Sequence, residues 1–160
     1  METTMKNKSE KNYHKLYLML GLSFFSMYGT MYFNTYALDH VYLSMTRFYM
    51  SCLGISMMGV IMLLMMKEMY KNRKKNIQIL IGFGLLFSVA LTLVRIQSPV
   101  IGDVLYMKGM IPHHSIAILT SERADLKDPE VKKLAEEIIE AQKKEIVQMQ
   151  EMIIRLENKK

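Results

Sequence analysis

The sequence predicts an all-α protein: three transmembrane helices followed by an extracytoplasmic antiparallel helical pair. Three observations predict it. Long apolar runs crowd into the first hundred residues. Charge divides at the same place: residues 1–97 carry 11 Lys and Arg against 4 Asp and Glu, whereas residues 98–160 carry 10 against 11. Beyond residue 102 apolar side chains recur at helical spacing on either side of a short polar turn. The chain therefore divides into a three-span membrane domain, residues 1–97, and a two-helix domain, residues 98–160.

The expected spans are residues 16–38, 45–66 and 77–96. Each meets the requirement of about 20 apolar residues for a helix that crosses a bilayer. The first run is too long for the apolar core of a signal peptide, and no A-x-A-like site follows it, so it is expected to stay as an uncleaved span. Lys6, Lys8, Lys11 and Lys15 precede it. Lys67, Lys71, Arg73, Lys74 and Lys75 fill the turn between the second and third runs, while the link 39–44 has no Lys or Arg. The positive-inside rule then places the N-terminus and the 67–76 turn in the cytoplasm, and residues 98–160 in the periplasm or outside the cell. The expected location is a bacterial inner membrane, with lipid as the surrounding partner. The basic balance is a topology signal, and no nucleic-acid patch accompanies it. Cys52 is the only cysteine, so one chain can build neither a disulfide nor a thiolate cluster.

Small and hydroxyl residues form stripes on the spans: Ser23 and Thr30, then Cys52, Ser56 and Gly59, then Gly84, Ser88 and Thr92. Such stripes let helices approach closely in lipid. Met58, Met62, Met65 and Met69 also share a face. Methionine is an adaptable apolar filler, so this row reads as packing.

The helical pair is expected over about 103–125 and 129–156, with the turn at 126–128. Asp128 is a good N-cap, Pro129 suits the first helical position and Glu130 suits the first turn. Val131, Ala135, Ile138, Gln142, Glu145, Met149, Met152 and Leu156 alternate at spacings of four and three, the period of a packed seam. Ile146 offers an apolar alternative to Glu145. On the first helix Asp103, Met107, Met110 and His114 follow one face. Pro112 has no N–H to give the Lys108 carbonyl, so a kink is expected there.

The chemistry-bearing stretch is residues 107–115, M-K-G-M-I-P-H-H-S. Thioether sulfur beside imidazole is the donor set that suits copper, above all Cu(I). Met107, Met110, His113 and His114 are the first ligand candidates, with Glu145 and Met149 opposite them, Asp103 at the start of the helix, and Asp39 and His40 in the outer link. The bland reading is that these histidines sit exposed or hydrogen-bonded near a kink while the methionines pack.

Residues 107–115, Ala117-Ile118, the run Asp128-Pro129-Glu130-Val131, Leu134-Ala135, Ile138-Ile139, Ala141-Gln142 and Glu145-Ile146 resemble the bacterial family of domain of unknown function 305. Its hallmark is a G-M-I-P-H-H-like segment followed by a helix of the A-x-x-I-I-x-A-Q-x-x-E-I type. Met31-Tyr32-Phe33-Asn34 and Asp39-His40-Val41-Tyr42 are similar to a pattern in its membrane-anchored branch. The resemblance implies a ferritin-like helical domain, copper binding, and Met107, Met110, His113 and His114 as ligands. It also implies that one pair is half of a bundle, since two helices cannot enclose a four-helix core. The expected partner is a second copy, in a homodimer or higher homo-oligomer through the C-terminal helices.

Two functions follow as expectations. One is a membrane-anchored protein that captures or buffers Cu(I) or Cu(II), exchanging it with copper-handling proteins of the envelope. The other is a structural or interaction protein whose helical pair oligomerises or recruits a partner without metal. No nucleophile–base pair or phosphate loop is legible, and the Glu-x-x-His pairs of a ferritin-like oxidase are absent, so no enzyme is expected.

Overall fold

The computed structural model describes residues 2–159, with side chains from residue 10 onward. Those residues form five α-helices and no strand: α1 (Glu2–Thr30), α2 (Met45–Met65), α3 (Arg73–Ile96), α4 (Asp103–Arg123) and α5 (Pro129–Glu157), with a 3-10 turn at Leu38–His40 before α2. The chain separates into two compact units. One comprises α1 with Arg47–Gln97; the other joins Met31–Thr46 to the chain from Ser98 onward.

In the first unit α1 runs antiparallel to α2. Tyr13 stacks at a tilt on Tyr70, with ring centroids 5.3 Å apart, and Met27 reaches Gly54. Tyr13, Leu16, Leu20, Ile55, Leu63 and Tyr70 make the buried core, and Ile79, Leu80 and Phe83 of α3 pack on it. The Phe83 ring lies where a side chain on Gly59 would begin, so a glycine is needed for α2 and α3 to come this close. The turn between α2 and α3 is tied to α1. Tyr13 Oη donates to Asn76 Oδ1 at 2.6 Å and accepts from the Asn72 N–H at 3.2 Å, and Asn72 caps α3 by accepting from the Lys75 N–H. Burial, and then the neighbouring Tyr13, hold the Tyr70 phenol above the ordinary tyrosine range.

Among the described residues two helices, α2 and α3, are long and apolar enough to cross a membrane, not three. The expected span 16–38 is corrected. Helix α1 starts far earlier, in charged sequence, and stops at Thr30, whose hydroxyl donates to the Met27 carbonyl. From Leu16 to Thr30 it offers 15 residues, a rise of about 22 Å against about 30 Å of hydrocarbon. Residues 31–38 leave the helix because their hydrogen bonds and packing belong to the second unit.

In that unit α4 and α5 pack antiparallel around Met107, Ile111, Ile118, Ile146 and Ile153, joined by Ile139, Met149 and Leu156. Tyr42 of the 31–46 segment packs on the same core. Helix α4 runs unbroken through a buried Pro112. Asp128 caps α5 by accepting from the Glu130 and Val131 N–H groups. The seam of α5 passes through Ala135, Ile139, Ile146, Met149 and Ile153, while Val131, Glu145 and Met152 face outward. Ala135, Gln142, Met149 and Leu156 thus keep the expected register, whereas Ile139, Ile146 and Ile153 take the places expected for Ile138, Glu145 and Met152. Burying Ile146 gains apolar area, whereas burying Glu145 would strand a carboxylate. Gln142 alone keeps a polar group in the seam, and its Oε1 is buried without a hydrogen-bond partner.

Candidate functional site

Helix α4 presents His113 and His114 at its middle, just after Pro112. Because successive helical residues lie about 100° apart, they point differently. His113 is exposed, while the His114 side chain is 11 % exposed. Their ring centroids are 6.1 Å apart. His114 is held from both sides. Its Nδ1 lies 3.0 Å from the Met110 carbonyl and its Nε2 lies 2.6 Å from Glu145 Oε2 on α5. The outward register of Glu145 is what allows this, since its carboxylate stays half exposed beside a largely covered imidazole. An Nδ1–H donated to a carbonyl fixes the tautomer and orientation of a ring and leaves Nε2 to bind a proton or a metal.

The other expected ligands divide. Met110 is half-buried and supplies the carbonyl under His114. Met107 is 6 % exposed and, with Met149, belongs to the apolar core between the helices. Asp103 stands in the first turn of α4, where its charge suits the helix dipole. Among the described residues no three His, Cys, Asp or Glu side chains gather as a metal-holding group. Thioethers lie outside that ligand class.

Asp39 and His40 join a separate arrangement, on the 31–46 segment that straps across the helical pair. Ser115, fully buried, accepts the Tyr36 N–H at 2.7 Å, and His40 Nδ1 lies 3.0 Å from the same hydroxyl. Tyr36 Oη donates to Glu122, Lys143 lies over the Tyr36 ring, and Gln150 reaches the Asp39 carbonyl. Ser115, His40 and Asp39 fall in a row, but the His40–Asp39 separation is 3.9 Å, beyond hydrogen-bond length. A hydroxyl without access to solvent attacks nothing, so this row is a clasp, not a catalytic triad. Sequence reasoning missed Ser115 and Tyr36. The only available signal was a small polar residue on the buried face of α4, one position after the histidines.

Residues 92–156 match the family described as "Domain of unknown function (DUF305)". The chain is also 33 % identical over 145 residues to "Uncharacterized protein L153" of Acanthamoeba polyphaga mimivirus, an alignment covering 89 % of this chain and 93 % of the relative. No solved structure matches. The likeness to the viral protein extends beyond the helical pair into the apolar helices, and the segment matched by the family contains His113, His114 and Glu145. This chain belongs to the family of domain of unknown function 305.

Proposed function

We propose that the protein is a membrane-anchored copper-binding protein that captures or buffers the metal through Met110, His113, His114 and Glu145. The observation that carries this reading is the setting of His114: Nδ1 held by the Met110 carbonyl, Nε2 turned to Glu145, at a surface shared with a second imidazole. The donor set fits copper. Imidazole and thioether suit Cu(I), and imidazole with carboxylate suits Cu(II). Met107 and Met149 then serve as the apolar wall of the site, and Asp39, His40 and Asp103 brace the fold around it. Copper is cargo in this reading, and no reaction is assigned.

The membrane topology is part of the proposal. With the Lys67, Lys71, Arg73, Lys74 and Lys75 turn in the cytoplasm, α2 and α3 form a hairpin. The hairpin delivers residues 31–46 and 98–160 to the same outer side. Their joining in one compact unit supports that arrangement. Helix α1 packs along this hairpin, from Asn12 and Tyr13 at the cytoplasmic turn to Met27 beside Gly54, and so accompanies it from one side to the other although its apolar stretch falls short of a span by itself. We place the hairpin in a cell-envelope membrane, the bacterial inner membrane being the setting that the sequence motif suggests.

A second reading is a metal-free assembly module. It draws on the outward apolar residues Val131, Leu134, Val147, Met152 and Ile154 of α5. The two readings are compatible, because a second copy docked along α5 would cover the flank that carries Leu134 and Met152 and leave the site on α4 in place.

Titration of the detergent-purified protein with Cu(I) against a competing chelator tests the proposal, beside the His113→Ala/His114→Ala variant. Tight binding lost in the variant is the expected result. Equal binding by both proteins would sink the copper reading and leave the assembly module.

A further inference from the structure

We propose that the groove between α1 and α3 is a binding site for an anionic phospholipid. The inference rests on the reading that α2 and α3 cross a membrane. The groove encloses about 470 Å³, within the range of small-molecule sites. Its lining changes character along α3, while the α1 wall stays polar and aromatic. At the end near the 67–76 turn it is lined by Tyr13, His14 and Tyr17 of α1 and by Gln78 of α3; further along it is lined by Gly82 and Leu86. A polar, aromatic mouth leading into an apolar slot is the cross-section of a phospholipid at the membrane interface, where tyrosine rings are enriched.

Gly82 contributes to the opening of the slot. Nothing lies within 4 Å of the point where a Gly82 side chain would begin. That is the reverse of Gly59, whose position is crossed by the Phe83 ring. Gly59 serves helix contact, whereas Gly82 leaves room that no side chain of the described residues fills.

Charge selects the headgroup. Glu10, the one acid in the lining, is neutralised by the Lys75 ammonium, which also lies 5.3 Å from the Tyr13 ring centroid. Lys11, Lys15, Lys71, Arg73 and Lys74 make no ion pair among the described residues. They flank the mouth in sequence, from the start of α1's apolar face to the start of α3. A basic side chain near a membrane surface draws anionic headgroups, and these five outnumber the acids there, the paired Glu10 of the lining and Glu68 of the turn. The occupant is therefore a phospholipid of net negative charge, its phosphate at the mouth and one acyl chain along Gly82 and Leu86.

The chain has no tryptophan, so a single introduced one reports without background. The full chain carrying Leu86→Trp is placed in phosphatidylcholine vesicles containing a minor fraction of phosphatidylglycerol. Either lipid is brominated on its acyl chains in turn, at the same mole fraction. The expected result is deeper quenching by brominated phosphatidylglycerol, with an enrichment of about fivefold, the worth of one basic side chain at an anionic surface. Gly82→Leu, which fills the slot without a clash, should abolish the preference. Leu85→Trp, exposed on α3 outside the lining, should be quenched by both lipids alike. Equal quenching of the Leu86→Trp protein by the two lipids would overturn the site and leave the membrane reading standing. Absence of quenching in both reporter proteins would overturn the membrane reading together with it.

Discussion

Ser115 bonds the strap residues Tyr36 and His40 while its neighbour His114 faces Glu145. One turn of α4 thus fixes both the 31–46 strap and the proposed metal site. Ser115→Ala leaves the Tyr36 N–H without its acceptor, and loss of such a partner costs about 1–3 kcal/mol. The expected outcome is a lower unfolding midpoint and faster hydrogen exchange at the Tyr36 amide, with copper affinity little changed because His114 keeps both of its contacts. An unchanged exchange rate at Tyr36 would show that the clasp does not hold the strap. At this scale the sequence made the ligand types legible, because softness and spacing can be read off Met110, His113 and His114. It could not reveal the Ser115–Tyr36 bond. The partners are 79 residues apart, and serine has no periodicity of its own to announce them.

Register decides what each side chain of α5 does. Ile146 is 2 % exposed and Glu145 is half exposed, one residue and about 100° apart. Ile146→Ala should cost about 2–4 kcal/mol, the usual penalty for emptying a buried aliphatic site, and should spare copper binding where the protein remains folded. Glu145→Ala should do the reverse, changing stability little while weakening the metal site. Chemical denaturation of both variants beside a chelator competition separates them, and matching effects would mean that the two positions are not divided between core and site. Most helices were legible as elements. Residues 45–66 and 77–96 read as long apolar runs and lie in α2 and α3, and α5 announces its start through Asp128 and Pro129. The end of α1 was not legible. Residues 31–38 continue an apolar run, yet they leave the helix for a strap whose anchors, Ser115 and the core around Tyr42, lie far along the chain. The seam was ambiguous between Glu145 and Ile146 for the same reason: periodicity gives a face about two residues wide, and the cost of burying a carboxylate selects within it.

On the scale of the whole molecule, the two-unit division follows from a hairpin, since α2 and α3 begin and end beside segments that pack with each other. The topology proposed here predicts sidedness. In a Cys52→Ser background, Lys143→Cys should react with a membrane-impermeant thiol reagent in intact cells, and Lys71→Cys should react only after the membrane is permeabilised. Labelling of both before permeabilisation, or of neither, contradicts the hairpin orientation. The family match covers residues 92–156, and the likeness to the viral relative spans the apolar helices as well as the helical pair of this chain. In the proposed reading, that pairing keeps a soft-metal site tethered at a membrane surface.

The central claim is that copper is held by imidazole and thioether on α4. Copper-edge X-ray absorption of the Cu(I)-loaded protein tests it most directly. The account predicts scattering from both imidazole nitrogen and sulfur, with the sulfur shell lost in Met110→Leu and the imidazole signal lost in His113→Ala/His114→Ala. A spectrum with no sulfur shell, or one that neither variant alters, would contradict it.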